Sequence, residues 1–262
     1  TLAAGAVAGN MADSTATEAG GDPRQSRSVA SMVFAVLRSG ALGVSGLLAI
    51  VVWSTILLGA FGDVGPNLRL GLSAVALGLG TGSVALLFLL GQGKGLSYLD
   101  FRIPDWRGLG YAVGGVVALF VLQVAVAVVL TQVGVQTADH SIEQTAQQGN
   151  PQMLLVLIPA SWLLIGPGEE LLYRNIIQKS LYETFSKRGA LVVASAIFAL
   201  AHIPAYAVGS TLVATAGTLV IIFMLSLVLG FLYLRTGNLT VSALVHGTFD
   251  AIIFAAMYVS MV

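Results

Sequence analysis

Long stretches of this chain carry no charge, and that fact constrains its fold more than any other. Ser39 to Gly62, Leu70 to Gly93 and Gly108 to Ala138 contain no Asp, Glu, Lys or Arg, and neither does Gly189 to Leu234. Each of the first three is long enough for a membrane-spanning helix, which needs about 20 predominantly apolar residues. The fourth is long enough for two, with Pro204, Gly209 and Ser210 marking the turn between them. Composition agrees. Of 262 residues, 56% are hydrophobic and 9% charged, whereas a soluble domain carries about 25% charged residues. A water-soluble globule is excluded, and so is a disordered chain, which needs low hydrophobicity and high net charge. The net charge of zero gives no pull toward nucleic acid, and the absence of cysteine removes disulfides, thiolate nucleophiles and cysteine metal sites.

The segment after Asn150-Pro151, a helix start with proline at its first position, is the informative one. Pro151 to Gly166 would reach only roughly 24 Å, short of a hydrocarbon core of ~30 Å. The helix must therefore run on to about Lys179, which carries Glu169, Glu170 and Arg174 to membrane depth. Seven spans are expected: 39–62, 70–93, 108–135, 151–180, 189–208, 211–234 and 239–261. The fold class is all-α, a polytopic helical bundle. Residues 1–30 read as a mobile tail, and 31–262 as one transmembrane domain with its chemistry in 151–262. No cleavable signal is expected, because the apolar run after the basic residues is too long. With the N-terminus in the cytoplasm, Arg24, Arg27, Arg38, Lys94, Arg102, Arg107, Lys179, Lys187, Arg188 and Arg235 lie on the inner side. Arg69 alone lies outside. An odd number of spans preserves that bias. The expected location is an integral multi-pass one, the cell membrane if the chain is prokaryotic.

Ionisable groups inside a bilayer are costly and usually functional. Here they are Glu169, Glu170, Arg174, His202, His246 and Asp250, from three different spans. At helical rise Glu169, His202, His246 and Asp250 lie ~15, ~20, ~12 and ~18 Å from the inner boundary, one layer in the cytoplasmic half. Groups at one depth on three helices can converge on one cavity. Glu170 and Arg174 are i, i+4, as are Phe198 and His202, and His246 and Asp250, so each pair shares a helix face. Pro167-Gly168 just before the acids predicts a kink. Blander readings stand beside this one. Glu170–Arg174 serves as a structural pair, His202 as an interhelical donor, Asp250 as an orienter of His246 and Phe198 as packing.

Glu169-Glu170-Leu-Leu-Tyr-Arg174, Phe198-Ala-Leu-Ala-His202 and His246-Gly-Thr-Phe-Asp250 match EExxxR, FxxxH and HxxxN/D in order. Over roughly Pro151 to Val262 the chain resembles the CPBP family of intramembrane proteases, which includes type II CAAX prenyl endopeptidases and bacteriocin-immunity (Abi) proteins. That resemblance implies glutamate-dependent peptide hydrolysis within the membrane, on a membrane-embedded or prenylated substrate. It implies that Glu169 and His202 activate a water, that Glu170 and Arg174 hold the site, and that His246 and residue 250 stabilise the oxyanion. Prenyl endopeptidases carry asparagine where this chain has Asp250. Either Asp250 is protonated, or it accepts from His246. No cofactor is favoured, but Glu169, His202, His246 and Asp250 also form a two-His, two-carboxylate zinc set, which leaves a metallopeptidase open.

Gly43-Val44-Ser45-Gly46 fits the GxSG of rhomboid serine proteases, but glycine and serine are abundant here and a chance match is expected. Two non-enzymatic readings remain: a proton-coupled carrier, since buried Glu, His and Asp also build proton relays, and a catalytically silent scaffold or immunity protein.

Overall fold

The structure, a computed structural model, describes residues 28–262. The expected tail lies outside the described residues except for 28–30, where a helix has already begun. Helix α1 is Val29–Phe61, its first turn capped by the Ser28 side chain on the Ser31 amide. Helix α2 is Pro66–Gly91, with proline in the first turn, and α3 is Trp106–Gln132, capped by Asp105 on Gly108. A short α4, Ser141–Gln147, follows. The helix α5 runs Pro151–Leu181. Then come α6 (Lys187–Ala201), the four-residue α7 (Ile203–Tyr206), α8 (Leu212–Thr236) and α9 (Leu239–Met261). The described residues contain no strand. The chain is an integral membrane helical bundle.

Six helices are long and apolar enough to cross a membrane: α1, α2, α3, α5, α8 and α9. The segment expected at 189–208 is the exception. Its helix α6 stops at Ala201 after 15 residues. Pro204 has no amide proton for the Leu200 carbonyl and its ring would crowd that carbonyl, so the turn breaks at His202. The chain nevertheless covers the length of its neighbour. Gly230 of α8 lies beside Leu191 near the start of α6, and Thr215 near the other end of α8 donates to the Tyr206 carbonyl. Helix α1 begins ten residues before the expected 39 because a charge ends an apolar run without ending a helix. Arg38 lies within α1 and reaches Glu183 at 4.0 Å.

Helix α5 is the hub. It packs against α1, α2, α6, α8 and α9, and every residue from Leu172 to Gln178 is buried. Basic side chains gather at one end of the bundle. Lys94 reaches Glu183 at 3.8 Å, Lys179 reaches Asp100 at 2.8 Å, and Arg102 donates to the Gly237 carbonyl. Arg69 pairs with Asp63 at the opposite end, where Asn150 meets Asn67.

Candidate active site

Helix α5 runs unbroken through Pro167. The proline is accommodated by a wider turn. Residues Ser161–Ile165 form a π turn in which the Gly166 amide donates five residues back to the Ser161 carbonyl. A five-residue α-helical stretch, Gly166–Glu170, carries both acids. A second π stretch, Leu171–Gln178, follows. Single π turns in otherwise α-helical segments are frequent at functional sites.

Two glycines let α9 approach this stretch closely. A Cβ on Gly166 would lie 2.8 Å from the Ala243 carbonyl oxygen and from the Gly247 nitrogen. A Cβ on Gly247 would lie 2.5 Å from the Ser161 carbonyl oxygen. Backbone therefore meets backbone, and His246, the residue before Gly247, is carried to the acids.

The structure brings all seven expected residues together. Glu169 Oε2 lies 4.0 Å from His202 Nε2 and 3.7 Å from His246 Nε2. His246 Nε2 lies 3.4 Å from Asp250 Oδ2. On its other edge, His246 Nδ1 donates to Glu170 Oε1 at 3.2 Å. Glu170 Oε2 accepts from Arg174 Nε at 3.1 Å, and both of these side chains are completely buried. His202 Nδ1 donates to the Phe198 carbonyl at 2.8 Å, which leaves the Nε2 lone pair turned toward Glu169. The Phe198 ring centroid lies 4.5 Å from His202 and 5.9 Å from His246, and the Arg174 guanidinium carbon sits 4.9 Å from it. Phe198 is thus a packing plate between the two imidazoles and the guanidinium.

Exposure divides the set into two layers. Glu169, His202 and Asp250 keep 15%, 21% and 21% of their side chains accessible, while Glu170 and Arg174 keep none. The first group can meet a reactant, and the second can act only through its neighbours. Among the described residues, no group of three or more His, Asp and Glu side chains is arranged to hold a metal ion. The four candidate zinc ligands lie 3.4 to 4.0 Å from one another along the series His202–Glu169–His246–Asp250.

Ser45 is exposed on α1, whereas its flanking Gly43 and Gly46 face Tyr173 and Leu172 of α5. The serine therefore points away from the hub, as expected of a chance motif.

Two features escape the motifs. Ser226, on α8, accepts from Arg174 Nη1 at 3.0 Å and is fully buried. Its one signal in the sequence is a hydroxyl in the middle of an apolar helix. At the basic end, Asp100 Oδ2 accepts from Lys179 (2.8 Å), Tyr233 (2.5 Å) and Asn175 (3.2 Å), which ties the end of α5 to α8. These partners lie 75 to 133 positions from Asp100, so no local pattern marks them. Outside the spans, burial, and secondarily nearby His202, lowers the pKa of His140 to about 4. Its ring meets Tyr206 edge-on at 4.9 Å.

Residues 151–252 match the family model described as Type II CAAX prenyl endopeptidase Rce1-like. The match covers less than half of the chain, contains every residue of the cluster, and bears out the resemblance read from the three motifs. No curated protein and no solved structure matches the chain at a significant level.

Proposed function

We propose that this protein is an intramembrane endopeptidase that cleaves a membrane-associated or lipidated peptide by glutamate-activated water. The observation that carries this reading is the placement of Glu169 Oε2 at 4.0 Å from His202 Nε2 and 3.7 Å from His246 Nε2. The first gap is too long for a direct hydrogen bond and is the span that one shared water bridges. Glu169 takes a proton from that water while His202 Nε2 holds it by the other hydrogen. The oxygen adds to the peptide carbonyl carbon, and the carbonyl π electrons move to oxygen. A protonated His246 donates to that oxyanion from Nε2. The carbonyl then re-forms, the carbon–nitrogen bond breaks, and protonated Glu169 returns its proton to the leaving amine.

The remaining residues hold this arrangement. Glu170 accepts from His246 Nδ1 and so presents Nε2 to the substrate side. Arg174 neutralises Glu170, which could not otherwise stay ionised at zero exposure. The 3.4 Å approach of Asp250 to His246 Nε2 supports an acceptor role for that carboxylate over a protonated one. We place the basic end in the cytoplasm, following the Lys/Arg bias. The substrate then enters from the inner leaflet or cytosol.

The test is cleavage of a panel of prenylated and membrane-spanning peptides by the purified chain in proteoliposomes, with and without a strong chelator. Wild-type cleavage that persists under chelation and is lost in a folded Glu169→Ala variant is expected. Absence of wild-type cleavage, or equal cleavage by Glu169→Ala, refutes the reading. Cleavage abolished by the chelator and restored by zinc refutes the metal-free step.

A further inference from the structure

The catalytic geometry rests on a side chain outside all three motifs. The accessible layer, Glu169, His202 and Asp250, is tied to the protein interior through the buried His246, whose Nδ1 donates to Glu170. Glu170 in turn is held by Arg174 Nε. A guanidinium is a rigid planar fork, so its direction is fixed only if a second nitrogen is also held. Nη1 meets that need by donating to Ser226 Oγ at 3.0 Å, and Nη2 has no partner. The guanidinium carbon sits 4.9 Å from the Phe198 ring centroid, a contact without a hydrogen bond that does not fix rotation of the guanidinium in its own plane. In-plane rotation is what would swing Nε off Glu170. Ser226 is the one polar atom on α8 that opposes it, and both partners have zero exposure. Water cannot substitute for the hydroxyl at that depth without a place being made for it.

We propose that Ser226 is a positioning residue for this site, acting through the series Ser226–Arg174–Glu170–His246. The inference rests on the hydrolase reading above, and it extends the site to a fourth element, α8. The hydroxyl locks Arg174, Arg174 locks Glu170, and Glu170 holds the Nδ1–H of a protonated His246 so that its Nε2–H faces the substrate. Loss of the hydroxyl releases that constraint, and Nε2 no longer presents one fixed protonation pattern to substrate.

Three substitutions separate the hydroxyl from the volume. Ser226→Ala removes the oxygen, Ser226→Thr keeps it, and Ser226→Val has the shape of threonine without it. The expected result is a fall in kcat of about tenfold for Ala and Val, the scale of one hydrogen bond to a charged group. KM stays near wild type, because no substrate contact is removed. Ser226→Thr recovers most of the rate. Equal kcat for Thr and Val, or a wild-type kcat for Ala, overturns the proposal. So does a rise in KM at constant kcat. A second measurement does not need turnover. Ring nitrogen-15 spectra of histidine-labelled protein, assigned with a His246→Gln sample, report the protonation of both His246 ring nitrogens. Wild type and Ser226→Thr should share one pattern, with both nitrogens protonated, and Ala and Val should depart from it. Identical His246 signals in all four proteins overturn the proposal. If wild type does not cleave but the nitrogen signals separate as stated, the hydrolase reading fails while the positioning series stands.

Discussion

Replacing Gly247 by alanine tests whether the site depends on how closely α9 and α5 approach. The added Cβ would lie 2.5 Å from the Ser161 carbonyl oxygen, and 3.0 Å from Ser161 C and Trp162 Cα. All three atoms are backbone, so none can swing aside. Ordinary contact begins at 3.4 Å, so the helices must separate by about 0.9 Å before dispersion becomes attractive again. His246 adjoins Gly247 and moves with it. Its 3.2 Å hydrogen bond to Glu170 would lengthen to about 4 Å, beyond the range of such bonds. A hydrogen bond to a charged group contributes ~1.5–3 kcal/mol, which corresponds to about a ten- to hundredfold loss of rate if it acts in the transition state. Overpacking should cost ~1–3 kcal/mol of stability as well. The assay is cleavage in proteoliposomes beside thermal unfolding in detergent. Gly114→Ala, on α3 with no atom within 4 Å of its new Cβ, is the control and should leave both unchanged. A Gly247→Ala protein with wild-type rate and wild-type unfolding midpoint would refute the claim that this approach sets the geometry.

Further outcomes follow from the same structure. Arg174→Met leaves Glu170 buried without its counter-charge and should destabilise the fold by ~3–5 kcal/mol, read as a fall in unfolding midpoint. The double change Glu170→Leu with Arg174→Met should recover much of that stability but no activity. Asp250→Asn should keep more activity than Asp250→Ala, because it retains an acceptor oxygen for His246. The segment around His140 should loosen in acid. Its folded pKa of about 4 lies below the ordinary 6.5, so between those values the unfolded chain binds a proton that the folded one does not. The stability it contributes is complete above pH 6.5 and lost as pH falls toward 4. Protonation also removes the Nδ1 lone pair that caps the Ile142 amide. The protection factor of the Ile142 amide against hydrogen exchange should fall over that window in wild type and stay flat in His140→Asn.

The bundle was legible because lipid leaves little choice. An uncharged run of 24 residues with no water to satisfy its backbone must be helical. The chemistry was legible for a related reason. Glu169, Glu170, Arg174, His202, His246 and Asp250 have no apolar excuse for their depth. What stayed hidden depended on neighbours brought together only in space. Helix α6 ends at Ala201 because Pro204 interrupts it, and hydropathy alone does not distinguish a 15-residue helix from a full span. The wide turns of α5 left no mark beyond Pro167. Ser226 is one hydroxyl in an apolar sequence, and its role comes from Arg174, 52 positions away. Asp100 looked like an ordinary loop carboxylate, yet it receives three donors from α5 and α8.

The π stretch Leu171–Gln178 also has a bearing on how the chain tolerates length change. A π turn holds one residue more than the α turn it replaces, so removing a single residue there would let the helix relax into regular α geometry. The helix beyond the stretch would keep its facing, because the wide turn has already absorbed the extra residue. A deletion in a regular α turn of the same helix would instead rotate everything beyond it by about 100°, the rotation per residue of an α-helix. The wide turns therefore mark where this helix can lose a residue and still hold its register.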